Sequence, residues 1–221
     1  MKTLAGFSIW IIVAVAASSA ASKPHTISLG KWSVVKVLVG SDESTPAEIK
    51  IRPLIVDGRV KEFTTGTAHQ VTDRMFVVQR AYRLNDLLPE ETGPGRWRWE
   101  RGGWLLVDRT TGRIQTIALP AFDAYYSQVS WFRDYGAYCG LSEDASKRFA
   151  VVVQLGRRKP LLKKSLAEKS GATAEVACPA PLWSRAPARV SFDAPGEPKF
   201  TFTVHSQAVD LVVEEGEEGE N

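Results

Sequence analysis

Apolar residues occur along the chain in short runs rich in Val, Ile, Thr, Phe, Tyr and Trp, and Gly, Pro and Asp separate the runs. β-Branched and aromatic residues favour extended backbone, whereas Gly, Pro and Asp favour turns. Residues 75–84 place Phe76 and Val78 on one face of an extended segment, and apolar residues also occupy part of the opposite face. The sequence therefore predicts an all-β fold with mainly antiparallel sheets.

Turn-forming residues divide this pattern into individual strands. The predicted strands cover residues 32–39, 48–55, 60–64, 75–84, 96–100, 104–108, 113–119, 129–135, 137–141, 149–155, 189–192, 200–206 and 209–213. Asp57 and Gly58 predict a tight hairpin turn. Gly102 and Gly103 are interpreted as the turn between two consecutive strands of a hairpin.

One short segment has a helical pattern. Pro160 suits the first position of a helix, and Leu162 and Leu166 have the spacing of neighbours on a helical face. These features predict at most one short helix, near residues 160–169. A strand followed by a loop fits the same residues.

The aromatic segment WFRDYG belongs to a stretch, residues 129–162, that resembles one blade of a β-propeller. The stretch lacks the Gly-His and Trp-Asp markers of the WD repeat, and no copy of it recurs at a fixed period. The predicted architecture is therefore a sandwich or a small propeller-like or barrel arrangement.

The N-terminus has the features of an export signal covering residues 1–20. Lys2 precedes an apolar stretch, and Ser18 and Ala20 provide the small residues that signal peptidase requires, which predicts cleavage after Ala20. An uncleaved anchor could use residues 3–22, although Ala and Ser make their second half weakly apolar. We expect a secreted or periplasmic protein with no transmembrane segment after cleavage.

The mature chain is predicted to form a single β-rich domain over residues 21–213, because its length suits one domain of this class. Residues 214–221 are mostly acidic and contain few apolar side chains, so we expect a disordered tail. The chain contains two cysteines, Cys139 and Cys178. An oxidising compartment favours a disulfide between them.

Motifs for catalysis, metal binding or nucleotide binding are absent from the sequence, so no cofactor and no metal ion are expected. A catalytic residue cannot be named from the sequence, and an enzyme is the less favoured interpretation. The alternative is an extracellular hydrolase that acts on a glycan through two carboxylates. Its candidate acids are Asp123, Asp134, Glu143 and Asp144.

The densest unusual feature is a mixture of tryptophan and arginine at residues 96–99. Trp97 and Trp99 point to one face of a strand, whereas Arg96 and Arg98 point to the other. Exposed tryptophans beside guanidinium groups can form a platform for a sugar ring or a protein partner. Packing in a β core is the alternative role for both tryptophans.

One further feature has an ordinary surface interpretation, as a solvated turn. A basic run includes Arg157, Arg158, Lys159, Lys163 and Lys164, and it could contact acidic lipid headgroups or polyanionic glycans. Nucleic-acid binding is not expected, because export removes most opportunity for it.

The favoured hypothesis is a non-catalytic binding or scaffold protein of the cell envelope or extracellular space, whose partner is an envelope glycan or protein.

Overall fold

The computed structural model describes residues 25–39, 45–166, 178–205 and 209–212. Within these ranges every helix or strand is a β-strand, which confirms the all-β, mainly antiparallel prediction. The first strands are β1 (Ile27–Leu29), β2 (Ser33–Val39), β3 (Thr45–Val56), β4 (Arg59–Gln70), β5 (Met75–Asn85), β6 (Trp97–Asp108) and β7 (Ile114–Ile117). The remaining strands are β8 (Ser130–Phe132), β9 (Tyr135–Leu141), β10 (Arg148–Gln154), β11 (Leu162–Ser165), β12 (Leu182–Ser184), β13 (Arg189–Phe192), β14 (Phe200–Val204) and β15 (Val209–Val212). The predicted export signal and acidic tail lie outside the described ranges.

Strands β2 to β6 close into a five-stranded barrel. Consecutive strands pair antiparallel, and β2 pairs in parallel with β6 through Val37 and Trp99. This parallel closure follows from the odd number of strands, since the first and fifth strands of an up-and-down meander run in the same direction. β1 pairs with the end of β3, and β7 pairs with the end of β6. Of the predicted architectures, the barrel is the one found in the first half of the chain.

The predicted hairpin turn at Gly102 and Gly103 is wrong, because β6 runs through both glycines without reversing. The pairing between β5 and β6 shifts register at this point, as it does at a β-bulge. A Cβ atom on Gly102 would lie 3.0 Å from the ring of Tyr82. Gly102 therefore allows an aromatic ring to approach the backbone closely, and it does not reverse the chain.

The predicted turn at Asp57 and Gly58 is confirmed. Both residues have positive φ angles, 51° and 74°, as a two-residue type I′ hairpin requires. The turn joins β3 to β4, and the two strands pair on either side of it. Local sequence was sufficient here because the turn chemistry depends only on the two central residues.

The second half of the chain forms two antiparallel sheets of four strands, ordered β11-β10-β9-β8 and β12-β13-β14-β15. Both sheets contribute to one buried cluster and therefore face each other as a sandwich. The buried members are Tyr126, Tyr135, Ala137, Cys139, Ala150, Val152, Leu166, Cys178, Val190, Phe192, Ala194, Phe202 and Val204. β8 to β11 have the four-stranded form of a propeller blade, but a propeller needs four or more such sheets, and the described residues hold two.

The predicted helix near residues 160–169 is replaced by strand β11, as the alternative interpretation of these residues had it. Leu162 to Ser165 pair with Phe149 to Val152 of β10. The neighbouring strand supplies the backbone hydrogen bonds, so the helical spacing of the leucines has no influence on the backbone. Residues 167–177, which include the end of the predicted helix, lie outside the described ranges. The short strands β1 and β12 were not predicted.

The predicted break at Gly136 is displaced by a few residues. The chain reverses at Arg133, whose φ angle is 54°, and Gly136 lies inside β9. A Cβ atom on Gly136 would lie 2.9 Å from the ring of Trp131. This glycine, like Gly102, makes room for an aromatic ring.

The predicted disulfide between Cys139 and Cys178 is confirmed, with 6.0 Å between the two Cα atoms. Cys139 lies in β9 of one sheet, and Cys178 precedes β12 of the other. Both cysteines belong to the buried cluster between the sheets. The bridge therefore joins the two sheets covalently inside their shared core.

Aromatic contacts join the barrel to the C-terminal sheets. Trp104 of β6 packs edge-on against Trp131 of β8, with ring centroids 5.4 Å apart. His69 of β4 stacks on the same Trp131 ring, and its Nε2 donates to the carbonyl of Arg133 at 2.9 Å. The described part of the chain contains no helix that could span a membrane.

Candidate ligand-binding surface

The β5–β6 pairing places an arginine beside the two tryptophans of residues 96–99. Arg83 pairs directly with Trp99, and Asn85 pairs with Trp97. Directly paired residues share a face of the sheet, so these side chains lie on one face. The edge of Phe63 on β4 adds to the group, at 5.2 Å from the Trp99 ring. We call Phe63, Arg83, Trp97 and Trp99 the aromatic–arginine surface.

Arg83 contacts both indole rings. Its guanidinium carbon lies 5.7 Å from the centroid of Trp97 and 5.4 Å from that of Trp99. A guanidinium within about 6 Å of an indole centroid is attracted by the negative face of the ring. The guanidinium of Arg83 therefore lies within cation–π distance of both indoles without burying either ring completely.

The two tryptophans differ in burial, which gives them different roles. Trp97 has a relative exposure of 60%, so most of its indole is open to solvent. Trp99 is half-buried and packs against the barrel cluster that includes Val37 and Ile49. Trp99 thus connects the surface to the barrel core, whereas Trp97 is available for a ligand.

The loop between β5 and β6 approaches the indole of Trp97 closely at Gly95. A Cβ atom on Gly95 would lie 2.8 Å from the Nε1 atom of Trp97, so a larger residue would displace the indole. The backbone amide of Arg96 donates to the Asn85 side chain at 2.9 Å, and the amide of Asp86 donates to the carbonyl of Arg96 at 2.7 Å. These contacts close the loop and fix the start of β6.

The other two sequence-predicted site residues, Arg96 and Arg98, lie apart from the indole faces. Arg98 is on the opposite face of the sheet, where its Nε is 2.9 Å from a carboxylate oxygen of Glu100. Arg96 is exposed, and its guanidinium lies 3.5 Å from Glu91. The arginine that contacts the indoles is Arg83, which sequence reasoning missed because it lies on the preceding strand. The cross-strand register was the information needed to find it.

A buried carboxylate lies behind this surface. The hydroxyl of Tyr125 donates to Glu100, which is 8% exposed and also pairs with Arg98. Burial, followed by this hydrogen bond, raises the pKa of Tyr125 to about 12. The hydroxyl of Tyr125 therefore stays protonated and acts as a hydrogen-bond donor over the physiological pH range. Its contact with Glu100 joins the segment after β7 to the barrel.

The four carboxylates of the hydrolase alternative make separate local contacts. Asp123 accepts two backbone amides of the turn that follows it, and Asp134 accepts the side-chain amide of Gln154 at 2.8 Å. Asp144 accepts the hydroxyls of two neighbouring serines, which hold its pKa at about 2, and Glu143 is exposed. None of these hydrogen bonds joins two of the four acids.

The basic run falls at the edge of the C-terminal sheets. Lys163 lies over the ring of Phe149 at 4.2 Å, and Lys164 lies over that of Phe200 at 4.5 Å. Arg157, like its two basic neighbours in the turn after β10, is exposed. The lysines therefore cover aromatic rings of the sandwich, and the turn is open to solvent.

The fold and this surface define an all-β protein in which a closed barrel is joined to a disulfide-linked pair of sheets. The barrel carries one exposed and one half-buried indole, and both lie beside the same guanidinium. Among the described residues, no group of three or more His, Cys, Asp and Glu side chains could hold a metal ion. Comparison with family models, curated proteins and solved structures found no match. The function is therefore inferred from the geometry of the chain itself.

Proposed function

We propose that this chain is an exported, non-catalytic binding protein that presents the aromatic–arginine surface to a glycan of the cell envelope or extracellular space. The observation that carries the proposal is the indole of Trp97, which is 60% exposed while its contacts with Arg83 and Gly95 restrict its motion. An exposed tryptophan buries large apolar area when it is covered, and it loses little conformational freedom when it is already fixed.

A glycan suits this surface because a sugar ring has both an apolar face and polar edges. The apolar C–H face can stack on the indole of Trp97, while the hydroxyl groups bond to polar side chains around it. Arg83 and Asn85 supply such donors and are both exposed. The combination of a flat apolar ring and nearby N–H donors suits the chemistry of a pyranose.

Export is supported by two features. The N-terminal sequence has the pattern of a cleavable signal, and the chain contains a disulfide between Cys139 and Cys178. Disulfides persist in oxidising compartments and are rare in the cytosol. An exported binding protein would be in contact with the glycans of the envelope or the extracellular space.

The test is a titration of the purified mature protein with a panel of envelope and plant polysaccharides. Tryptophan fluorescence and calorimetry measure the binding. We expect saturable binding that Trp97→Ala abolishes. Trp32→Ala is the matched control, because Trp32 is also exposed, at 45%, and also contacts an arginine, Arg52, at 4.2 Å. The control variant should bind as well as the wild type does.

Two outcomes would contradict the proposal. Equal loss of binding in Trp97→Ala and Trp32→Ala would show that the affinity does not depend on the aromatic–arginine surface. Absence of binding to every polysaccharide would remove the glycan as the ligand, and crosslinking from position 97 in the native envelope would then be the way to find a protein partner. Thermal unfolding of each variant ensures that lost binding is not lost folding.

A further inference from the structure

The aromatic–arginine surface has few acidic neighbours, and two acids of the β5–β6 loop, Asp86 and Glu91, pair with Arg98 and Arg96. Strands β4, β5 and β6 contain three acidic residues in total, Glu62, Glu100 and Asp108. Glu62 pairs with Arg80 at 2.9 Å, and Glu100 pairs with Arg98 at 2.9 Å. Both of these pairs lie on the face opposite Arg83, because side chains alternate along each strand.

The third acid is remote from the surface. Asp108 ends β6, where it accepts the backbone amides of Thr110 and Thr111 in the following turn. These hydrogen bonds lower the pKa of Asp108, so it is a charged cap of that turn. The face of these three strands that carries Arg83 is therefore without a carboxylate.

Arg83 has no ion-pair partner among the described residues, and its contacts are the two indole faces. The side chain of Arg83 is exposed, so N–H groups of its guanidinium are accessible to a ligand. Those N–H groups form a fork that fits a carboxylate with two parallel hydrogen bonds. Arg101 adds a second positive charge to the same face, because it pairs with Ala81 two residues before Arg83.

We propose that the glycan bound by this surface is acidic and carries uronate carboxylates. One sugar ring stacks on Trp97, and a carboxylate of the same or the next residue pairs with the outward edge of Arg83. This inference rests on the proposed glycan-binding function and adds the chemical class of the ligand.

The experiment compares polygalacturonate with its carboxyl-reduced form, which keeps the linkages and loses the charge. We expect the wild type to bind the acidic polymer about tenfold more tightly, because a hydrogen bond to a charged group is stronger than one to a neutral hydroxyl. Added salt should weaken binding of the acidic polymer and leave binding of the neutral polymer unchanged.

The decisive variant is Arg83→Gln, which removes the charge at an exposed position. It should lose the preference and bind the two polymers equally, with an affinity at or below that of the wild type for the neutral polymer, because Arg83 also contacts the Trp97 indole. Arg158→Gln is the matched control, because Arg158 is exposed in the turn after β10 and its substitution changes the net charge equally. This control should keep the full preference for the acidic polymer.

The possible results separate the inference from the proposed function. Equal wild-type affinity for the two polymers, with Trp97→Ala losing both, would overturn the acidic ligand and leave the glycan-binding function intact. Loss of the preference in Arg158→Gln would also overturn it, because net charge alone would then explain the selectivity. Binding to sulfated polymers but not to polygalacturonate would overturn the uronate as the ligand, because the recognised anion would then be a sulfate. Binding to no polymer would overturn both proposals.

Discussion

The barrel and the C-terminal sheets are stabilised in different ways. The longest barrel strands have 12 residues, and pairing of β2 with β6 closes the sheet. The C-terminal strands have 3 to 7 residues and form two open sheets. Closure joins the two edge strands of the barrel through Val37 and Trp99, whereas short open sheets depend on a shared apolar core and a covalent link.

This difference also decides how each region uses its aromatic residues. In the C-terminal sheets, Phe192 is fully buried and stacks on Phe200 at 5.4 Å. In the barrel, Trp97 remains exposed at the end of a hairpin whose position is set by backbone pairing. The barrel also buries aromatic rings, such as that of Phe76, but its core does not use Trp97, which leaves this indole accessible to a ligand.

The largest expected effect is in the core of the C-terminal sheets. Phe192→Ala should lower the free energy of unfolding by about 3–5 kcal/mol, because it removes a fully buried ring from between the sheets. Phe63→Ala on the barrel surface, where the ring is 36% exposed, should cost clearly less. Denaturant unfolding of both variants checks the comparison, and similar losses would mean that the barrel depends on its aromatic residues as strongly.

The disulfide should have the next largest effect, and that effect should be confined to the C-terminal sheets. Its cysteines are 39 residues apart in sequence, and the chain-entropy model assigns a loop of that length about 4 kcal/mol. Replacing Cys139 and Cys178 together by Ser should therefore destabilise these sheets first. Hydrogen exchange resolves the two regions, and equal loss of protection in β3 to β6 would show that they unfold as one unit.

The smallest expected effect is at the contact between Tyr125 and the barrel. Tyr125→Phe removes one hydrogen bond to Glu100 and should cost about 1–2 kcal/mol at neutral pH. Because the pKa of Tyr125 is raised from 10.0 to about 12, its contribution is fully present below pH 10 and is lost as the pH rises through 12. The alkaline loss of stability should therefore be smaller in the variant.

Denaturation midpoints of the wild type and Tyr125→Phe across this pH range measure the difference. Tyr138 also has a raised pKa because of burial, so part of the alkaline loss should remain in the variant. Identical pH profiles would show that the contact between Tyr125 and Glu100 does not join the barrel to the following segment in solution.

Glycines show where prediction from sequence succeeded and where it failed. Gly58 follows Asp57 in a turn whose geometry needs positive φ angles, so the local pair identified it. Gly102 and Gly136 lie inside strands, beside the rings of Tyr82 and Trp131. A glycine that makes room for a distant ring has the same local appearance as a glycine that turns the chain, so those two breaks were placed wrongly.

The sequence by itself determined the all-β class, most of the strands, one hairpin turn and the pairing of Cys139 with Cys178. Each of these depends on local backbone preference or on having two cysteines to join. Only the tertiary structure decided that five strands close into a barrel and that Arg83 bridges Trp97 and Trp99. These features depend on which strands lie side by side and in which register, and that is set by packing between residues far apart in the chain.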